Sequence, residues 1–272
     1  MLTIKKNNAF TEVIIWNKQK QSKSYKTKDE DKRKLINRLN STMRSKKMII
    51  DYCLANQWDY FFTITLDKKL IDRTDYQNAL TKLKKLFNNY KNRYDKDFKF
   101  ILIPELHKRT EKNGKKAVHF HGLTKINNYS FWNFNLKVIR DMAYVYESET
   151  ISKRFGINEF TLIYNYNEFI SYYISKYISK NYDATKIGKY RYYHSKDLEL
   201  PFKNTIIKTD WFLENGLCPT YNNKFCDKYK FSNEEFYNFL KLNIDNNYNS
   251  LYYKYIAKKQ IKNIKVGKKN ED

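Results

Sequence analysis

A chain of 272 residues with 53 Lys and Arg against 29 Asp and Glu carries a net charge of +24, a surface suited to a polyanion. Hydrophobic residues make up 41% of it and aromatic residues 17%, which excludes a disordered chain and predicts a core built from rings and isoleucines. No run approaches the roughly 18 apolar residues of a spanning helix, and MLTIKKNNAF lacks the apolar core of a signal peptide. A soluble, cytoplasmic protein is therefore expected. Its leading partner is nucleic acid, because Lys and Arg contacts to phosphates release counterions; a membrane surface is the weaker alternative. Cys53, Cys218 and Cys226 have no CxxC spacing, match no common zinc pattern with His194, and read as free thiols of a reducing compartment.

Residues 1–55 read as a basic N-terminal extension that turns helical in DEDKRKLINRLNSTMRSKKMIIDYCLANQ, where Leu35, Ile36, Leu39, Met43, Ile49 and Ile50 approximate a period of about 3.6. WDYFFTITLD, from Trp58, is β-branched and aromatic and predicts a buried strand. From Asp75, the candidate N-cap, the spacing of Leu80, Leu83, Leu86 and Phe87 predicts a helix. FKFILIPEL and KKAVHFHGLTKI are the next two strands, and Asn113-Gly114 between them predicts an antiparallel hairpin. Residues 130–146 read as a helix and EFTLIY as a further strand. Asn167 then opens the helix EFISYYISKYISKNY, and YRYYHSKDLELP reads as a strand and a turn. A helix over 233–242 and a basic tail, KKQIKNIKVGKK, expected to be mobile, belong to a C-terminal helical region, 206–272. The fold class is α+β, a central antiparallel sheet in residues 56–205 with packed helices and basic helical extensions.

Two of the chain's four histidines stand one residue apart in VHFHGL. Alternate residues of a strand share a face, so His119 and His121 project together while Phe120 turns to the core. Such a pair either grips a metal ion or simply faces outward. On the preceding strand Ile101, Ile103, Glu105 and His107 share one side, so Glu105 or His107 would lie across from the pair as a third ligand. A second motif, YISKYISK, repeats Tyr-x-x-Lys on one helix. Ile170, Ile174 and Ile178 fall on one face; Tyr173, Tyr177, Lys176 and Lys180 cluster on an adjoining arc, the two phenols one turn apart. This arc either packs and binds phosphates, or brings a phenol and a cation to a phosphate as a nucleophile and its activator. The rings of YNY and YRYY either stack unpaired bases or fill the core.

In this order FFTITL, PELHK with VHFHGL, and YISKYISK resemble the three motifs of HUH endonucleases that initiate rolling-circle replication. The closest likeness is to initiators of small single-stranded DNA phages, such as the microvirus A protein, and to kindred plasmid proteins. SKDLELP also resembles the segment that follows the family's tyrosine helix. The likeness covers about residues 56–205. It implies an HUH endonuclease domain of RRM or ferredoxin-like type, with metal ligands His119, His121 and Glu105, or His107 in place of Glu105. It further implies Mg²⁺ or Mn²⁺ as cofactor, Tyr173 and Tyr177 as nucleophiles, and Lys176 and Lys180 on the phosphate. The implied activity is origin-specific nicking and rejoining of single-stranded DNA through a 5′-phosphotyrosyl intermediate, in the host bacterial cytoplasm if the chain is phage-encoded. The motif order is not that of a conjugative relaxase. The chain has no GxxxxGK[ST] loop, so a separate host helicase and a DNA polymerase are implied partners. The competing readings are a non-catalytic, basic single-stranded nucleic-acid-binding protein and an HUH transposase.

Overall fold

The computed structural model describes residues 2–16, 29–111, 113–164, 168–180, 190–206, 216–223 and 226–245. The chain forms two compact units, residues 26–200 and residues 1–25 with 201–272. These bounds differ from the expected division at 55/56 and 205/206. The expected mobile tail and the expected N-cap Asn167 lie outside the described residues.

The smaller unit begins with β1 (Leu2–Lys6) and β2 (Phe10–Trp16). Later in the chain come β10 (Phe202–Ile206), β11 (Tyr221–Asn222), β12 (Cys226–Ser232) and the helix α5 (Asn233–Asp245). The strands form one antiparallel sheet in the order β10-β1-β2-β12-β11. Leu2, Ile4, Val13, Ile15, Tyr229 and Phe236 form its core. The strands at both ends of this arrangement escape a sequence reading because their partners lie some 200 positions away, so no local hairpin signal marks them. Asn233 ties the unit together, donating to the Asn7 carbonyl and accepting from the Thr11 hydroxyl.

The larger unit holds α1 (Glu30–Ala55), β3 (Tyr60–Thr65), α2 (Tyr76–Arg93), β4 (Lys99–Thr110) and β5 (Lys116–Lys125). It continues with β6 (Phe134–Arg140), β7 (Ala143–Ser148), α3 (Glu149–Ser152), β8 (Asn158–Leu162), α4 (Glu168–Lys180) and β9 (Tyr193–His194). Its seven strands pair antiparallel in the order β6-β7-β8-β3-β5-β4-β9. The α+β class and the antiparallel sheet are as expected. Asp75 caps α2, accepting from the Asn78 amide, and the β4–β5 hairpin turns at Gly114, whose φ of +74° suits glycine.

Residues 130–146 are not a helix. They are mostly the β6–β7 hairpin, closed by Asp141 and Met142 with φ of 50° and 61°. Two consecutive left-handed residues between paired strands are the backbone of a two-residue hairpin turn. β-branched and aromatic residues at Val138, Ile139, Tyr144, Val145 and Tyr146 favour strands, and pairing of β7 with β8 secures them.

The sheet is buried on both faces. One face packs Phe62, Ile64, Phe100, Leu102, Val118 and Phe120 against Leu80, Leu83, Phe87 and Tyr90 of α2. The other packs Ile101, Ile103 and Leu123 against Ile49 and Cys53 of α1 and Ile174 and Ile178 of α4. Strand alternation thus puts the odd residues of β4 and β5 toward α4. Gly122 is needed between the faces: a Cβ there would lie 2.1 Å from the Ile101 carbonyl oxygen and 2.3 Å from the Phe62 ring. The segment after β9 is locked by the buried Asn56, which donates to the Glu199 carbonyl and accepts from the Glu199 amide. Ser195 completes the lock, its hydroxyl accepting from the Phe100 amide.

Candidate functional site

The register brings the polar residues of three strands to one face. Glu105 lies opposite His119, and Ile103 opposite His121; on the other side of β5, Thr63 is opposite His121 and Thr65 opposite His119. Each threonine hydroxyl sits at hydrogen-bond distance from an imidazole Nδ1, 3.0 Å for Thr63 and His121 and 2.8 Å for Thr65 and His119. Both rings are therefore held by Nδ1. His121, only 7% exposed, places its Nε2 2.8 Å from Glu105 Oε2, diagonally across the ladder. His119 stacks on His107 with ring centroids 3.6 Å apart. Burial first, then the neighbouring His107 and His121, push the His119 pKa down to about 4. Burial and the Arg73 guanidinium lower that of His107.

Helix α4 lays its tyrosines on this face. The Tyr177 ring stacks on His121 at 4.0 Å between centroids and is 8% exposed. Its hydroxyl donates to the Tyr173 hydroxyl at 3.0 Å. Desolvation, the hydrogen bond to Tyr173 and the nearby Glu105 carboxylate raise the Tyr177 pKa well above that of a free phenol. Tyr173 is half-buried, meets Phe61 edge-on at 5.4 Å, and has Lys176 Nζ 5.9 Å from its ring centroid. Lys180 ends the helix, and its side chain lies outside the described residues.

The sequence-predicted residues Glu105, His119, His121, Tyr173, Tyr177 and Lys176 thus share one face of the larger unit. The two candidates for third ligand part ways: Glu105 engages His121, whereas His107 covers His119. Among the described residues, no three His, Cys, Asp or Glu side chains are gathered into a closed metal shell as they stand. The donor chemistry nonetheless fits a divalent cation, with two imidazoles oriented through Nδ1 and a carboxylate beside one Nε2. Thr63, Thr65 and Arg73 belong to the site without having been singled out in the sequence. Alternation in FFTITL, aligned against HFH, is the signal that identifies the threonines. Arg73, paired with Glu111 at 2.7 Å, lies between β3 and α2, where no periodicity points to it.

Cys53 and Cys226 are buried and Cys218 is exposed, all as free thiols. Among the described residues no helix is long and apolar enough to cross a membrane. No curated protein and no solved structure matches the chain. Residues 59–182, from the threshold of β3 to just beyond α4, match the family model of the replication-associated protein ORF2. Over the stretch that contains every residue of this site, the chain is similar to that replication-associated family.

Proposed function

We propose that this chain is a replication initiator that nicks single-stranded DNA at an origin and rejoins it by tyrosine attack. The observation that carries the reading is the stacking of Tyr177 on His121, which sets a tyrosine pair against a histidine pair already oriented by threonines. Glu105, His119 and His121 would hold Mg²⁺ or Mn²⁺, which when bound supplies Lewis-acid polarisation of the scissile phosphate. The threonine hydroxyls suit this role in either tautomer. They donate to Nδ1 while Nε2 carries the proton, and accept from Nδ1 when Nε2 is a ligand.

The Tyr173 oxygen attacks phosphorus, the bond to the 3′ oxygen breaks, and the departing oxygen takes up a proton. The DNA 5′ phosphate is left on tyrosine, and attack by a 3′ hydroxyl reverses the step. Tyr173 is the first nucleophile in this scheme because its oxygen accepts the Tyr177 hydrogen bond, so negative charge developing there is met by a donor. Lys176 stands beside the same ring to balance phosphate charge, and Lys180 extends that arc. Tyr177 serves as partner and then as second nucleophile.

The test incubates the protein with labelled single-stranded DNA covering its own replicon, with Mn²⁺ or EDTA, followed by a denaturing gel. The expected product is an SDS-resistant adduct that needs metal and disappears in the Tyr173→Phe/Tyr177→Phe variant. Tyr173→Phe alone should lower adduct yield more than Tyr177→Phe. DNA binding without any adduct would instead favour the non-catalytic basic binding module.

A further inference from the structure

The reverse face of the sheet carries a groove that the reaction does not use. It lies between α2 and the chain entering β9, encloses about 740 Å³, and is lined by Gln77, Lys84, Lys85, Asn88, Tyr190 and Tyr193 among others, with no carboxylate among its described lining residues. Gln77, Thr81, Lys84, Lys85 and Asn88 recur at helical spacing, a polar stripe about 16 Å long down one side of α2. The stripe exists because the opposite side of the helix, Leu80, Leu83, Phe87 and Tyr90, is spent on the core.

The YRYY segment divides its rings. Tyr193 packs on the α2-side core and Tyr192 on the α4-side core, whereas Tyr190 is 66% exposed at the groove. Tyr190 meets Tyr193 edge-on at 5.9 Å, and Lys84 Nζ lies 4.9 Å above the Tyr193 ring. An exposed ring fixed beside ammonium groups and side-chain amides is the chemistry of a base-stacking, phosphate-binding surface.

The geometry points to this groove as a second contact for single-stranded DNA, holding a flank of the strand away from the reacting phosphate. Lys84 and Lys85 contact phosphates, a base stacks on Tyr190, and the amides of Gln77 and Asn88 face base edges. The inference rests on single-stranded DNA being the partner. It is independent of which tyrosine reacts.

Fluorescence anisotropy of labelled oligo(dT) against the full chain tests it, with circular dichroism to verify that each variant folds. Tyr190→Ala should weaken binding by about 5- to 100-fold and Tyr190→Phe should retain it. Lys84→Ala/Lys85→Ala should flatten the dependence of log K on log salt by about 1.4, the value for two phosphate contacts on a single strand. Lys32→Ala/Arg33→Ala, on the exposed first turn of α1, should change the slope less. Wild-type affinity and slope in the groove variants, or an equal slope change in the α1 control, would overturn the groove while leaving the nicking reading intact. Absence of oligo(dT) binding by the wild-type chain would overturn both.

Discussion

Thr63 and Thr65 fix two imidazoles by the atom that a metal does not need. If Glu105, His119 and His121 hold a cation, Thr63→Val with Thr65→Val should lower Mn²⁺ affinity by about 10- to 100-fold without altering the far-UV spectrum. A Mn²⁺ titration followed by electron paramagnetic resonance measures this, and unchanged affinity would remove the threonines from the site. Asp59 offers a separate test at the same scale. Its carboxylate accepts from the Ile126 amide at 2.6 Å, yet burial raises its pKa, a rise that the hydrogen bond and Lys125 only partly offset. A carboxyl whose folded pKa exceeds its unfolded value binds its proton more tightly when folded. Its contribution to stability therefore declines as pH rises from about 4 through the raised value. Asp59→Asn keeps an acceptor for Ile126 and carries no charge. It should unfold at higher urea than wild type at pH 7, with the gap closing towards pH 4.

Among the elements, the β6–β7 hairpin is where local and tertiary preferences diverge most. Met142 is 91% exposed at φ 61°, a conformation that costs a non-glycine residue about 1–2 kcal/mol. Met142→Gly should therefore stabilise the hairpin by about 1 kcal/mol and raise the melting temperature by about 2–4 °C in a thermal scan. A lower melting temperature would mean that Met142 makes a contact worth more than the strain. The hairpin was illegible because Asp141-Met142 is not a customary turn pair and the following residues also suit a helix; pairing of β7 with β8 decides it. By contrast, Asp75, the α2 leucines and Asn113-Gly114 act within a few residues of one another. Those elements were legible.

At the scale of the molecule, the larger unit contains both of its hydrophobic clusters entirely within residues 26–200. A fragment of those residues should unfold cooperatively in urea and form the same DNA adduct as the full chain. A non-cooperative transition would show that it depends on the other unit. The smaller unit draws one sheet from both ends of the sequence, so removal of residues 1–16 should unfold what remains of it. The α+β class, the charge that calls for a polyanion and the candidate residues were all readable from the order of amino acids. Strand alternation and helical periodicity are short-range, and they assign each side chain to a face. Three further outcomes needed the folded chain: Glu105 rather than His107 meets His121, two threonines orient the histidines, and Tyr190 lies outside the core. Those outcomes depend on register between strands and on which helix covers which face, and both are set by packing between residues far apart in the chain.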